Sequence, residues 1–184
     1  MKRKVKGVSV HKVLRNSYAK QKSERLGGYN LDKELSNDNQ QVYFHPTKRR
    51  ILYSVTGTHN LKDIGTDVSL AVGRLKNTKR YHEAKDTLEK SKNKYGVDKA
   101  TIVGHSLGGT IAGYIGNTQK DRVITLDKGA TIGQKVGNGE EAYRIKGDVV
   151  SLLNAKDPRM KTLPRTHRNP HSVHNIENNQ SLVI

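Results

Sequence analysis

The sequence predicts a three-layer α/β domain built on a mainly parallel central sheet. Two observations carry that expectation. Strand-like and helix-like segments alternate from Gln41 to Ile145, the order produced when helices cross over between parallel strands. Within that run, Thr101-Ile-Val-Gly-His-Ser-Leu-Gly-Gly-Thr110 sets an apolar β-branched strand before a Gly-x-Ser-x-Gly turn, and Thr110 to Ile115 can continue as a helix. Glycines two residues to either side let a chain turn from strand to helix so sharply that one serine is pushed out of the sheet. Ser106 is that serine.

The other elements follow in order. Residues 1–26 carry nine Lys or Arg against one acid, Glu24. Val10, Val13, Leu14 and Tyr18 recur there at helical spacing, so a basic amphipathic helix is expected, capped by Gly27-Gly28. Its short apolar stripe favours docking on the domain over insertion into a membrane. The chain is therefore divided into a basic N-terminal extension, residues 1–28, and an α/β domain, residues 29–184. Gln41–His45 and Ile51–Thr56 read as strands joined by a turn at Pro46-Thr47-Lys48. Leu61, Ile64, Val68, Ala71, Val72 and Leu75 mark a helix begun by Asn60 and Asp63. A second helix, Tyr81 to Lys94, places Tyr81, Ala84 and Leu88 on one side. Val123–Leu126 and Ala142–Ile145 are short strands on either side of a glycine-rich loop, Gly129 to Gly139. From Asn154 the chain is polar, basic and holds three of the four prolines, the composition of a loop.

Composition narrows the chemistry. With 184 residues, a third of them apolar, one domain with a modest core is expected, resting on Val, Ile and Leu because Trp is absent and Phe44 is alone. The lack of cysteine excludes disulfides, thiolate metal sites and a cysteine nucleophile. No apolar stretch follows the basic start, so a secretory signal is not expected, and a cytoplasmic or virion-associated location is. The longest uncharged run, Ala100 to Gln119, is too polar to span a bilayer. A net charge of +17 points to peripheral contact with anionic membrane or to non-specific nucleic-acid attraction. Neither zinc-finger spacing nor an aromatic-rich RNA-binding signature accompanies it, which argues against sequence-specific reading.

A serine hydroxyl needs an adjacent base, and the base an orienting acid. After an elbow of this type the order along the chain is serine, acid, histidine. Asp148 is the preferred acid, because it lies just beyond the strand ending at Ile145, two strands after the nucleophile strand. Asp127, at the end of the intervening strand, is second. Among His167, His171 and His174, the last is preferred because Val173 and Ile176 can anchor it, whereas the others are flanked by Arg, Asn and Pro. The spacing of the three is similar to a metal cluster, but the segment is basic and no acid lies between them, so neither metal nor cofactor is expected. Two donors would hold the oxyanion: the N–H of Leu107, directly after the serine, and Thr58 at the end of the Ile51–Thr56 strand.

Together, Val55-Thr-Gly-Thr58, the helix carrying Asp63 and Asp67, Gly104-His-Ser-Leu-Gly-Gly109 and Gly147-Asp-Val-Val150 resemble the class 3 lipases of the α/β-hydrolase superfamily. The resemblance covers about Ile51 to Asn175. Asp32–Leu75 and the C-terminus are also similar to the short lipase-like proteins of large DNA viruses. The resemblance implies an α/β-hydrolase-like fold and hydrolysis of a carboxylic ester through an acyl-enzyme. It implies Ser106, His174 and Asp148 as the triad, with Thr58 and Leu107 as oxyanion donors. Where such lipases carry an apolar lid, this chain reads His59-Asn-Leu-Lys-Asp63. A phospholipid or another lipid or small ester is therefore expected as substrate in preference to triglyceride. The rival expectation is an inactive hydrolase fold that binds polyanions.

Overall fold

The structure, a computed structural model, describes residues 7–58, 74–116, 120–129, 135–179 and 181–184. Eight strands form one sheet in chain order: β1 (Arg25–Leu26), β2 (Tyr29–Asn37), β3 (Gln40–His45), β4 (Arg50–Val55), β5 (Ala100–His105), β6 (Arg122–Leu126), β7 (Glu140–Ile145) and β8 (Lys161–Leu163). Strands β1 to β4 pair antiparallel, and β4 to β8 pair parallel. The described helices are α1 (Val10–Tyr18), α2 (Lys79–Tyr95) and α3 (Leu107–Ile115). Among the described residues, no helix is long and apolar enough to cross a membrane.

Strand residues alternate between two apolar layers, as the pleat requires. Tyr53, Ile102 and Val123 are cross-strand partners and pack with Ala84 and Leu88 of α2 and Ile111 and Ala112 of α3. On the other face, Tyr43, Leu52, Val103 and Ile124 pack with Val10, Val13 and Leu14 of α1. The result is the three-layer arrangement expected from the sequence. Helix α2 extends slightly beyond its expected bounds, from its N-cap Thr78 to Gly96, whose φ of 59° ends it in the left-handed region. The helix expected from Leu61 and the polar stretch His59–Asp63 lie outside the described residues.

One expectation needs correction. Helix α1 stops at Tyr18, well before Gly27-Gly28: the backbone turns extended at the C-cap Ala19 (ψ 142°), and the Lys22 ammonium donates to the Ser17 and Ala19 carbonyls at 2.8 and 2.6 Å. Gly27 (φ 62°) instead turns β1 into β2. The polar C-terminal stretch is mostly loop, as expected, and within it lie β8 and a 3-10 turn, Val173–Ile176, which sinks Val173 and Ile176 into the α1 layer. The described part of the basic extension shares that layer, so residue 28 marks a change in charge within one core.

Candidate active site

Ser106 sits between β5 and α3 with φ 56° and ψ −129°, a backbone state that non-glycine residues rarely hold. The neighbouring glycines make this possible. A Cβ on Gly104 would collide with the Gly108 carbonyl, and one on Gly108 with the carbonyls of Val55 and Thr56. The first turn of α3 is thus pressed against the ends of β4 and β5. Ser106 is fully buried, its N–H donates to the Leu126 carbonyl at 3.1 Å, and its Oγ has no partner.

Asp148 follows β7 through a turn closed by its own N–H on the Ile145 carbonyl at 3.0 Å. Its Oδ1 pairs with His171 Nδ1 at 2.7 Å, while Oδ2 accepts the Ser151 N–H at 2.7 Å and the Ser151 hydroxyl at 2.5 Å. Burial alone would raise this carboxyl. The hydrogen bond and charge of His171 and the two Ser151 donors outweigh it and hold Asp148 below its ordinary value. The histidine paired with Asp148 is therefore His171, in place of the expected His174. The 3-10 turn that buries Val173 and Ile176 leaves the His174 side chain 41% exposed, with Nδ1 3.8 Å from Glu177.

The segment bearing His171 is fixed by Asn175, whose Nδ2 donates to the carbonyls of Asn169, Pro170 and Ser172. Its Oδ1 accepts from the N–H groups of Thr166 and His167, and Asn169 Oδ1 accepts the His171 N–H. These polar contacts hold a stretch that reads as mobile. They leave His171 Nε2 buried and without a partner.

Asp127, at the end of β6, adopts φ 47° and is completely buried. Its Oδ1 accepts the Ile145 N–H at 2.7 Å and its Oδ2 has no partner. Burial, and next the charge of Asp148, push its carboxyl up to about 8, so it holds its proton at neutral pH. A carboxylate oxygen of Asp127 and one ring nitrogen each of His105 and His171 lie within 4.8 Å of one another.

His105, the residue before the serine, links the two sides of the site. Its Nε2 meets the His171 carbonyl at 3.1 Å. A carbonyl only accepts, so Nε2 carries the hydrogen and Nδ1 must accept. Nδ1 takes the Tyr18 hydroxyl at 2.7 Å, and that hydroxyl accepts the Gly57 N–H at 3.0 Å. Burial lowers His105 to about 3 and raises the Tyr18 phenol, so the imidazole stays neutral and the phenol protonated. From the other side, Arg80 Nη2 donates to the Thr56 and Gly57 carbonyls. A Cβ on Gly57 would come within 3.0 Å of Ser106 Cβ, so this braced loop passes directly over the serine and leads into partly buried Thr58. Leu107 is the first residue of α3, where a helix leaves N–H groups without internal partners.

No curated protein matches the sequence. Among solved structures, a triacylglycerol lipase from Penicillium expansum shares 16% identity at a TM-score of 0.50, over 85% of this chain and 77% of that one. The Lip2 lipase from Yarrowia lipolytica shares 17% identity at a TM-score of 0.49, over 65% of this chain. This chain spans only 56% of the Yarrowia protein's length. At such identity the Penicillium likeness is one of fold. Residues 54–168 match the family described as "Alpha/beta hydrolase of unknown function (DUF915)". That match covers more than half of the chain, from the end of β4 through the elbow and Asp148, and the protein belongs to this α/β-hydrolase family.

Proposed function

We propose that the protein is a serine ester hydrolase of the lipase or phospholipase type. The observation that carries the reading is the buried Asp148–His171 pair, joined to the elbow serine through its neighbour His105, whose Nε2 donates to the His171 carbonyl. Ionised Asp148 accepts Nδ1–H and so leaves Nε2 of His171 free to take a proton. Ser106 Oγ attacks the acyl carbonyl as its proton passes to Nε2. The N–H groups of Leu107 and Thr58 hold the tetrahedral oxyanion. Collapse expels the alcohol, which takes the proton from His171. Water then attacks the acyl-enzyme by the same route, releasing the acid and restoring Ser106. Ser106 Oγ and His171 Nε2 are both unpaired in this structure, and such contacts often tighten only when substrate binds.

The surface beside the acid supports a lipid substrate. Val149, Leu152 and Leu153, directly after Asp148, are exposed by 70, 60 and 53%, an apolar rim suited to an acyl chain. The charge of +17 favours anionic headgroups, at about 1 kcal/mol per basic residue near a membrane surface. A phospholipid fits both features. The Gly-His-Ser-Leu-Gly-Gly elbow favours a class 3-like member of the superfamily, and the resemblance to viral lipase-like proteins favours a virion-associated one.

A fluorophosphonate probe tests the reading. An adduct on Ser106 of the folded protein, absent in Ser106→Ala, is the expected result. Folded protein that stays unlabelled overturns it and leaves the polyanion-binding hydrolase fold, which the charge motivates.

A further inference from the structure

The α1 layer holds a second group of chemically capable side chains, and no step at Ser106 uses them. His11 on α1 is only 7% exposed, and its Nε2 is buried without a partner. His174 and Glu177 face it from the C-terminal 3-10 turn and the residue after it. One ligand atom from each of the three lies within 4.8 Å of the others. His174 Nδ1 and Glu177 Oε2 are 3.8 Å apart, and the His11 and His174 ring centroids are 5.4 Å apart. The His167 ring lies on the same histidine, at 5.7 Å.

We propose that His11, His174 and Glu177 form a zinc-binding site that clamps α1 to the segment following His171. Two imidazoles and one carboxylate are a donor set that suits Zn²⁺ far better than the oxygen-seeking Ca²⁺ or Mg²⁺. Metal–ligand bonds of about 2.0–2.1 Å in tetrahedral geometry place neighbouring ligand atoms roughly 3.3 Å apart. Reaching that value requires only small rotations of His174 and Glu177, whose side chains are 41 and 54% exposed. His11 is the fixed member, set by α1, and a metal would satisfy its orphaned nitrogen. Simple packing of histidines would leave that nitrogen buried and unpaired. A fourth position remains for water or for His167.

The test uses the full chain stripped with a chelator and titrated with Zn²⁺ by calorimetry and thermal melting, with Co²⁺ as a spectroscopic probe. One equivalent should bind saturably and raise Tm, and Co²⁺ should give the visible d–d absorption of a four-coordinate nitrogen–oxygen site. His174→Ala and Glu177→Gln alter half-exposed side chains, so both variants should fold, as circular dichroism will check, and both should lose the saturable site. His171→Ala should retain it. The proposal is overturned if the native chain takes up no saturable equivalent. It is equally overturned if Glu177→Gln and His174→Ala bind as the native chain does, or if His171→Ala alone abolishes binding. All of these readings are independent of esterase activity.

Discussion

Replacing Asp148 by Asn isolates what the acid does, because its two oxygens are held by different kinds of partner. Oδ2 accepts two donors from Ser151, the N–H at 2.7 Å and the hydroxyl at 2.5 Å. An Asn side chain must therefore turn its carbonyl oxygen toward Ser151 and its NH₂ toward His171. Nδ1 of His171 then has to accept, which moves the ring hydrogen to Nε2, the atom that should receive the serine proton. A wrong tautomer of this kind costs about 10⁴-fold in rate, or about 5.4 kcal/mol at 1.36 kcal/mol per decade. The stability change is smaller, about 1.5–3 kcal/mol for losing a hydrogen bond to a charged group. Its pH dependence has a definite sign. The folded protein holds Asp148 below its ordinary value, so its contribution is present at neutral pH and is lost as pH falls through the folded value. The variant should therefore lose its stability deficit in acid. The assay is the second-order rate of fluorophosphonate labelling at Ser106, read by intact mass, alongside thermal melts from pH 3 to pH 7 at the values where both proteins fold. Labelling of Asp148→Asn within about tenfold of the native rate would refute the tautomer reasoning.

The remaining predictions concern neighbouring residues. His171→Ala should slow labelling by about 10⁴-fold or more, while His174→Ala stays within a few-fold of native; the reverse pattern would restore His174 as the base. Tyr18→Phe removes the acceptor of the Gly57 N–H and the donor to His105, and should cost about 1–3 kcal/mol of stability and lower kcat with KM little changed. An unchanged kcat in a destabilised protein would make Tyr18 purely structural. Asp127 has a folded value near 8, far above its ordinary 3.8, so its contribution is full below pH 3.8 and is lost as pH rises through about 8. Asp127→Asn lacks this slope, so its Tm relative to native should climb from pH 5 to pH 9; a constant difference refutes the buried-proton assignment. Replacing Val149, Leu152 and Leu153 together by Ser should reduce hydrolysis of anionic phospholipid vesicles much more than of a soluble short-chain ester. Equal losses on both would remove the rim from substrate binding.

What was legible in the sequence is what local geometry dictates. The elbow is written in adjacent residues, because Gly104 and Gly108 exist to admit the carbonyls that crowd them. Asp148 was visible because it closes the turn after an apolar strand. The histidine that pairs with Asp148 is not legible in the same way, because apolar anchoring is not the force that orders it. Val173 and Ile176 do bury, yet the residue poised on the acid is held by Asn169 and Asn175 through side chain-to-backbone bonds. Strand β2 was hidden for a related reason. Tyr29-Asn-Leu-Asp-Lys-Glu-Leu-Ser-Asn37 reads as polar, and its buried Asp32 is satisfied by Lys94 at 2.7 Å and the Tyr95 hydroxyl at 2.6 Å, both from distant α2. The sequence marks Tyr18 only as part of the apolar stripe of α1 and gives no signal for Arg80, since the roles of both depend on which carbonyl or amide the fold delivers to them.

These long-range contacts change the meaning of the basic N-terminal segment. Its charge marks it as an appendage, but its buried face belongs to the site. Tyr18, at the last turn of α1, fastens the Gly57 loop that leads to Thr58, and through His105 it reaches the His171 carbonyl. In the proposed hydrolase, both parts that must be placed against Ser106, the Gly57–Thr58 loop and His171, are thus tied to one helix by neutral groups that burial keeps from titrating. An array of this kind holds the same hydrogen-bond directions across the working pH range. Movement of α1 would disturb both parts at once, which makes the helix a working element of the proposed hydrolase and gives physical sense to the clamp at His11 on its opposite end.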